Sequence, residues 1–294
     1  MIVVLGEILT DRFVDYERIG GAPFNFAFHL KQMGWPVRFI TRVGDDARGR
    51  GISRMLVKNG FVATDIQIDP HHRTGLVDVS LDRDGIPQFD IREDAAYDHI
   101  DLPPMAVEDK AGIELFYFGS LIQRTANGRK QVCRLLDDKP AGAKCFCDIN
   151  LRLPHVHEEA IHACLRLADI LKLNDDELEA VGWRRGGPRT AEQSVAWLMR
   201  NYGIDTVALT LGSQGSRVFT GQEDFTAPPA AVAGIVDTVG AGDAYAAVLA
   251  AGILRSWPMH RTLALATRFA ADICALPGAV PEESDIYAPL RAKN

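Results

Sequence analysis

The chain has 294 residues, of which 47% are hydrophobic and 24% are charged, and its formal net charge is −7. These values are ordinary for a globular protein with one large or two smaller domains. A mildly acidic chain without a tract of clustered Lys and Arg suits neither nucleic acid nor an anionic membrane surface, so we expect neither as a partner.

The first residues and the cysteines indicate where the protein works. The opening stretch MIVVLGEIL has no basic start and no cleavage site, unlike a signal peptide. The apolar run at residues 244–254 is shorter than the roughly 20 residues that span a bilayer. The five cysteines are odd in number and form no CxxC pair, which is typical of reduced thiols. We therefore expect a cytoplasmic protein.

Short apolar runs alternate along the chain with segments of helical periodicity. The apolar runs include residues 2–9, 114–120, 143–150, 169–174 and 205–212, and the helical segments include residues 24–34, 128–138 and 191–203. Apolar runs without polar alternation are typical of strands that are buried on both faces. Their alternation with helices predicts an α/β fold with a mainly parallel sheet, and we expect residues 1–294 to form a single domain.

A different pattern covers residues 74–91, TGLVDVSLDRDGIPQFDI. Apolar and polar residues alternate there, and residues 82–85 read DRDG, a turn sequence. This predicts a β-hairpin with one solvated face, which suits a small sheet beside the main one. We expect a lid formed by about residues 10–22 and 72–95, inserted in the α/β core. An exposed sheet edge invites pairing, so we also expect a homodimer through the lid.

Many of the predicted strands end in polar residues or glycine. In open α/β sheets, ligands bind beyond the carboxyl ends of the strands, so these side chains could all line one cleft. Loops have the same composition, so this pattern alone does not identify a site. The residues concerned are Glu7, Asp11, Gly119, Ser120, Asp148, Asn150, Arg152, Asn174, Glu177, Thr210 and Gly212.

Residues 236–254, VDTVGAGDAYAAVLAAGIL, predict a buried helix that opens with glycines and an aspartate. Gly240 and Gly242 each cost about 1 kcal/mol relative to Ala in a helix, which makes sense if a ligand approaches the backbone closely. The free N–H groups of a first helical turn attract an anion. Asp243 then either caps the helix or serves as a general base beside a phosphoryl group. Helix rules alone leave both interpretations open.

Two common nucleotide-binding motifs are missing from the sequence. No GxxxxGK[ST] stretch occurs, which excludes a P-loop protein. No dinucleotide fingerprint follows the first strand, which argues against an oxidoreductase that uses NAD(P).

Two stretches resemble the signatures of the ribokinase-like (PfkB) carbohydrate kinases. GGAPFNFAFHLKQMG at residues 20–34 resembles the first signature, and DTVGAGDAYAA at residues 237–247 resembles the second. The resemblance implies a ribokinase-like three-layer α/β/α sandwich with a mainly parallel central sheet and a small β-sheet lid. It also implies a kinase that uses ATP as co-substrate, with Mg²⁺ and a monovalent cation such as K⁺ as cofactors.

The resemblance implies roles for the residues of both signatures. Asp243 corresponds to the catalytic base, and three backbone groups correspond to the anion hole for the transferred phosphoryl group, those of Gly240, Ala241 and Gly242. The sugar-binding residues would be Asp11, Gly20, Gly21 and Asn25, together with Asp243. Asn and Asp side chains offer hydrogen bonds to sugar hydroxyls. Without the family resemblance, we would interpret Gly20 and Gly21 as a plain turn and Asn25 as a helix cap.

On the nucleotide side, the resemblance implies seven residues, which are Asn174, Thr210, Gly212, Gly215, Gly240, Gly242 and Gly278. Glu177 corresponds to a residue that holds Mg²⁺ through water, and one carboxylate suffices because Mg²⁺ keeps several waters. Asp237 and Val239 correspond to the site of the monovalent cation. The spacing of Asn174 and Glu177 suits an Asn-capped helix start equally well.

Arg152 ends the stretch DINLR, which resembles the D-x-N-x-R element of the family. The fructokinases tend to continue with an aromatic residue where this chain has Leu153, so the role of Arg152 stays open. We interpret four histidines as solvated loop side chains, because no Cys or carboxylate set with ligand spacing accompanies them: His71, His72, His155 and His157.

The two signatures and their neighbouring residues look most like the bacterial fructokinase branch. The resemblance therefore implies phosphorylation of a primary hydroxyl of a small sugar, with D-fructose as the expected acceptor. Kinases of the same family for 2-keto-3-deoxygluconate, ribose or a nucleoside are alternatives. A sugar-binding regulator without catalysis is a further alternative, and the intact Asp243 counts against it.

Overall fold

The computed structural model describes residues 1–81, 87–102, 110–137, 139–182, 186–232, 234–281 and 285–291. The strands in these ranges are β1 (Ile2–Leu5), β2 (Leu9–Arg12), β3 (Glu17–Gly20), β4 (Val37–Gly44), β5 (Ile66–Asp69), β6 (Gly75–Leu81), β7 (Pro87–Ile91), β8 (Leu115–Gly119), β9 (Lys144–Asp148), β10 (Ile170–Asn174), β11 (Thr206–Thr210), β12 (Ser216–Thr220) and β13 (Asp224–Ala227). The α-helices are α1 (Ala22–Gln32), α2 (Ala47–Lys58), α3 (Ala126–Leu136), α4 (Glu158–Leu167), α5 (Asp175–Val181), α6 (Ala191–Tyr202), α7 (Ala241–Leu254) and α8 (Met259–Cys274).

The large sheet has nine strands in the order β13-β12-β11-β10-β9-β8-β1-β4-β5. The seven strands from β11 to β5 pair in parallel, while β12 and β13 add an antiparallel edge. Within β1, Ile2 and Val4 face one hydrophobic core, and Val3 and Leu5 face another. Both faces of the strand are therefore covered, which explains why its sequence shows no polar alternation.

Helices cover both faces of this sheet. Helices α1, α2, α7 and α8 contribute buried side chains to the core that contains Val4. Helices α3, α4, α5 and α6 contribute to the core that contains Leu5. This three-layer α/β/α arrangement confirms the predicted fold class. Among the residues described, no helix is both long enough and apolar enough to cross a bilayer.

The lid is a second sheet of four strands in the order β3-β2-β6-β7. The pairs β2/β3 and β6/β7 are antiparallel, whereas β2 and β6 run parallel. The predicted lid ranges, about 10–22 and 72–95, enclose three of these strands, and β2 begins one residue earlier. The predicted turn at residues 82–85 lies outside the described residues. The single domain over residues 1–294 stays a prediction.

Candidate active site

The glycine at the start of α7 has two steric reasons to be there. Gly240 is the N-cap residue and has φ 80°, in the left-handed region that side chains disfavour. A Cβ on Gly240 would also lie only 2.3 Å from the Cβ of Ala279. Among the described residues, no side chain caps this helix, so its first turn keeps the partial positive charge of a helix N-terminus. The interpretation of Asp243 as a helix cap is therefore wrong.

Asp243 instead lies in the first turn of α7, where it is buried and accepts a hydrogen bond from α1. The Nδ2 atom of Asn25 donates to its Oδ2 over 2.7 Å. Burial raises the pKa of Asp243 to about 7, and the charge of Asp148 adds to the increase. A carboxylate with such a pKa is matched to proton abstraction near neutral pH.

Asn25 does not cap a helix either, because it lies inside α1, whose N-cap residue is Gly21. Gly21 has φ 116°, and a Cβ there would lie 2.8 Å from the carbonyl oxygen of Glu7. The start of α1 therefore packs directly against the end of β1. At Gly20, a Cβ would lie 2.4 Å from Oδ2 of Asp11. The two glycines thus bring Asn25 and Asp11 to the same region, which a plain turn does not require.

Glu7 joins these residues, although sequence reasoning named it only as one of many polar strand ends and gave it no specific role. Its side chain is buried, and burial raises its pKa to about 7. Burial also raises the pKa of Asp11 to about 6. Within the described part of the chain, Glu7 Oε2 and Asn25 Oδ1 are buried without a hydrogen-bond partner. Buried acceptors are normally paired, so these two atoms point to a bound donor.

A buried ion pair lies beside the first turn of α7. Lys172 Nζ lies 2.9 Å from both carboxylate oxygens of Asp148. Burial is the largest single effect and lowers the pKa of Lys172, but the charges of Asp148, Glu177 and Asp243 and the hydrogen bond to Asp148 together raise it. A Cβ on Gly242 would lie 3.3 Å from Lys172 Nζ, so the ammonium group adjoins the first turn of α7. Lys172 was also missed from the sequence, although a lysine in a strand buried on both faces requires a partner.

Asn174 and Glu177 form the reciprocal cap at the start of α5 that their spacing allows. Glu177 N donates to Asn174 Oδ1 over 2.7 Å, and Asn174 N donates to Glu177 Oε2 over 2.8 Å. Glu177 Oε1 accepts a further hydrogen bond from Leu151 N over 2.6 Å. Both carboxylate oxygens thus hold backbone groups, and the predicted role of Glu177 at Mg²⁺ stays a prediction.

A turn with two glycines follows β11. Gly212 has φ 52° and Gly215 has φ 94°, so both adopt the left-handed backbone that favours glycine. A Cβ on Gly215 would lie 2.2 Å from the carbonyl oxygen of Ala227. The turn therefore lies tightly against the end of β13, next to Thr210 at the carboxyl end of β11.

Most of the predicted site residues line one cavity of about 760 Å³. These are Asp11, Gly21, Asn25, Asn174, Glu177, Thr210, Gly212, Gly215, Val239, Gly240, Ala241, Gly242 and Asp243. Gly20, Asp237 and Gly278 are not part of the lining. Asp237 instead accepts hydrogen bonds from Val239 N over 3.0 Å and from Gly278 N over 3.3 Å.

Asn150 and Arg152 also line the cavity, although the segment that carries them is not extended throughout. Asn150 has φ 37°, which ends the extended backbone after β9. The positive charge of Arg152 lowers the pKa values of Asp11 and Asp243 against the effect of burial. Arg152 therefore offsets part of the negative charge of the cleft.

One of the predicted loop histidines is more ordered than expected. His72 Nδ1 lies 3.0 Å from Asp69 Oδ2, and the His72 ring stacks on His99 with centroids 3.5 Å apart. Asp94, which lies 2.8 Å from His99 Nε2, completes a cluster of potential metal ligands at the base of the lid. Spacing along the sequence did not reveal this set, because Asp94 and His99 lie far from His72 in the chain. The ring planes are nearly parallel, at 12°, so their nitrogen lone pairs do not converge on one ion.

The fold and the cleft together define a phosphotransferase that acts on a small molecule. A buried carboxylate lies beside a helix N-terminus, at the carboxyl end of a parallel sheet. Residues 15–285 match the family model of the pfkB family carbohydrate kinases, and the chain belongs to this family.

Curated and solved relatives agree with this assignment. Fructokinase-2 of Oryza sativa is 30% identical over 280 residues, which cover 87% of this chain and 80% of that protein. An uncharacterised sugar kinase from Pyrococcus horikoshii, solved with ATP, has a TM-score of 0.74 at 26% identity and covers 95% of this chain and 94% of that chain. A fructokinase from Xylella fastidiosa with bound ATP has a TM-score of 0.81 at 21% identity, with 95% and 93% covered, and supports the ribokinase-like fold. The chain is an ATP-dependent sugar kinase.

Proposed function

We propose that this kinase transfers the γ-phosphoryl group of ATP to a primary hydroxyl of D-fructose, with Asp243 as the general base. The observation that carries the proposal is the position of Asp243. It is buried, has a pKa of about 7, and stands in the first turn of a helix that opens on the cleft. The relatives named fructokinase, at about 30% identity, support fructose as the acceptor.

In the proposed reaction, Asp243 takes the proton of the sugar hydroxyl while the hydroxyl oxygen forms a bond to the γ-phosphorus. The bond between the γ-phosphorus and the oxygen that bridges it to the β-phosphate breaks, and ADP leaves. The N–H groups at Gly240, Ala241 and Gly242 stabilise the negative charge on the transferred group, because the uncapped helix end is already oriented toward it.

The acceptor subsite is formed by Asp11, Glu7, Gly21 and Asn25, and Gly20 leaves room for the Asp11 carboxylate. A sugar presents several O–H donors, and the buried acceptors Glu7 Oε2 and Asn25 Oδ1 have no other partner among the described residues. Two hydroxyl groups of the acceptor would satisfy both atoms. A polyol therefore fits this end of the cleft better than an apolar ligand does.

The nucleotide subsite is formed by the other end of the cleft. Asn174, Thr210, Gly212 and Gly215 line it, and Gly278 lies beside the turn that precedes α7. The donor set suits Mg²⁺, since Glu177 is a carboxylate of the lining whose oxygens each accept a single backbone hydrogen bond. Bound with ATP, Mg²⁺ would neutralise phosphate charge, and Glu177 would hold it through water.

We also propose a cytoplasmic homodimer that pairs through the lid. The five cysteines are all free thiols, which supports a reducing compartment. Val14 and Tyr16, between β2 and β3, are 93% and 46% exposed, and exposed apolar side chains favour association. Sedimentation velocity should show a dimer for the wild type and a monomer for Val14→Asp. A wild-type monomer at assay concentration would refute the dimer.

The acceptor is tested by ADP release with Mg-ATP and fructose, ribose, glucose, 2-keto-3-deoxygluconate or adenosine. We expect the highest kcat/KM with fructose, and a preference for another acceptor would refute this part of the proposal. Asp243→Asn should lower kcat by about 10²–10⁴-fold, the usual contribution of a general base, with sugar binding retained. Asp272→Asn removes a carboxylate from a half-exposed pair on α8 and serves as the matched control. Near wild-type turnover of Asp243→Asn would refute its role as the base.

A further inference from the structure

Asp237, at the entrance to the anion hole, is surrounded by hydrogen-bond donors. Its Oδ1 accepts from the backbone N–H of Val239 over 3.0 Å. Its Oδ2 accepts from Nη1 of Arg18 over 2.9 Å and from the N–H of Gly278 over 3.3 Å. Asp237 thereby ties the turn before α7 to the loop that follows α8.

This environment does not fit the monovalent cation that the family resemblance implies at Asp237 and Val239. A cation such as K⁺ needs oxygen ligands, whereas Asp237 Oδ2 already accepts two hydrogen bonds, from Arg18 Nη1 and Gly278 N, and Oδ1 accepts one from Val239 N. The guanidinium group of Arg18 also brings a full positive charge to within 2.9 Å of the carboxylate. A second cation beside it would be repelled by the first.

Arg18 belongs to the lid, and packing contacts position its side chain in addition to the ion pair with Asp237. It lies on β3, and its guanidinium stacks over the ring of Tyr16 at 4.6 Å from the centroid. The Arg18 stem runs across Gly278, where a Cβ would lie 3.3 Å from Arg18 Cδ. Gly278 has φ 83°, so a glycine suits both the backbone and the close approach of the arginine. The pair is partly buried, with 32% of the Arg18 side chain and 19% of the Asp237 side chain exposed.

We propose that Arg18 supplies, as a built-in cation, the positive charge at Asp237 that the resemblance assigns to a monovalent ion. Arg18 is then a positioning residue, because it acts on the anion hole through Asp237 and the N–H of Val239. The inference rests on the proposed function of Gly240, Ala241 and Gly242 as the anion hole. Its consequence is a kinase whose activity does not depend on K⁺.

The test compares wild type, Arg18→Met and Arg12→Met in KCl and in tetramethylammonium chloride at equal ionic strength. Arg12 is the matched control, because it lies in the neighbouring lid strand and pairs with Asp78 over 2.5 Å, away from Asp237. We expect a ratio of kcat/KM for ATP in the two salts close to one for wild type and Arg12→Met. We expect Arg18→Met to lose about tenfold in tetramethylammonium chloride and to recover several-fold in KCl.

Thermal unfolding provides a readout that requires no acceptor sugar. KCl should raise the Tm of Arg18→Met above its value in tetramethylammonium chloride, and should leave the Tm of wild type and Arg12→Met unchanged between the two salts. A wild type that KCl activates or stabilises selectively would overturn the inference. An Arg18→Met variant that shows no preference for KCl in either measurement would also overturn it. If no acceptor is turned over but the Tm pattern holds, the acceptor assignment fails and the inference about Arg18 stands.

Discussion

Replacement of Asn25 by Ala should move the pH dependence of the kinase to higher pH. The Nδ2 atom of Asn25 donates to Asp243 Oδ2 over 2.7 Å, and this hydrogen bond lowers the pKa of Asp243 against the larger effect of burial. A hydrogen bond to a charged group contributes about 1.5–3 kcal/mol, and one pKa unit corresponds to about 1.4 kcal/mol. Loss of the bond should therefore raise the pKa of Asp243 from about 7 by about 1–2 units.

The measurement is kcat/KM for the acceptor between about pH 5.5 and 9.5 at saturating Mg-ATP, because this profile reports the pKa of the free enzyme. Asp243 must be deprotonated to act as a base, so activity is lost as the pH falls through its pKa. The wild-type acid limb should lie near 7, and that of Asn25→Ala should lie about 1–2 units higher. A lost sugar contact would lower the whole profile without moving the limb.

Asn127→Ala is the control, because the Asn127 amide donates to the carbonyl groups of Asp98 and Ile100, away from the cleft. Its acid limb should coincide with that of the wild type. An Asn25→Ala limb at the wild-type position, or at lower pH, would refute the assignment of the limb to Asp243.

Three further predictions concern stability and the anion hole. Burial raises the pKa of Glu7 from 4.5 to about 7, so ionisation of Glu7 should cost the folded wild type about 3 kcal/mol as the pH rises through this range. In urea unfolding, the stability of Glu7→Gln relative to wild type should therefore increase by about 3 kcal/mol between pH 4.5 and pH 8. The same stability difference between the two proteins at both pH values would contradict this prediction. Arg124→Met should lose about 3–5 kcal/mol of unfolding free energy in the same assay, because it leaves the buried Asp98 carboxylate without its ion-pair partner. A loss below about 1 kcal/mol, the usual strength of a surface ion pair, would contradict this prediction. Gly240→Ala should lose most of kcat and should lose more stability than Gly142→Ala. Gly142 has a similar φ of 87°, but no described atom lies within 4 Å of the added Cβ, so Gly142→Ala should cost only about 1–2 kcal/mol. Equal effects of the two substitutions would show that steric room at Gly240 is unimportant.

The fold was predictable because its determinants are local in sequence. The run at residues 2–9 shows apolar residues without alternation, and β1 is covered on both faces. The alternating run at residues 74–91 predicts the hairpin β6/β7 of the lid. In each case, the period of the apolar residues reports how many faces of a strand are buried.

The contacts within the candidate site were not predictable, because their partners are far apart in the chain. Asn25 and Asp243 are 218 positions apart, and Arg18 and Asp237 are 219 positions apart. A local rule offered a helix cap for Asn25, and the family resemblance implied a cation ligand for Asp237, but neither considers residues that are distant in the chain. Lys172 is similar, since its partner Asp148 becomes visible only when β9 and β10 are paired.

The two signatures of the sequence meet in space, and this meeting determines the electrostatics of the cleft. Counted as fully ionised, Glu7, Asp11 and Asp243 would give the cleft a negative charge that opposes the phosphates of ATP. Burial raises their pKa values to about 7, 6 and 7, so at neutral pH Glu7 and Asp243 are partly protonated. Lys172 offsets the charge of Asp148, and the uncapped end of α7 adds positive potential. The cleft can therefore accept an anionic nucleotide and still keep a carboxylate as a base. The burial that suits Asp243 to its proposed role as a base also reduces the repulsion between the cleft and an incoming phosphoryl group.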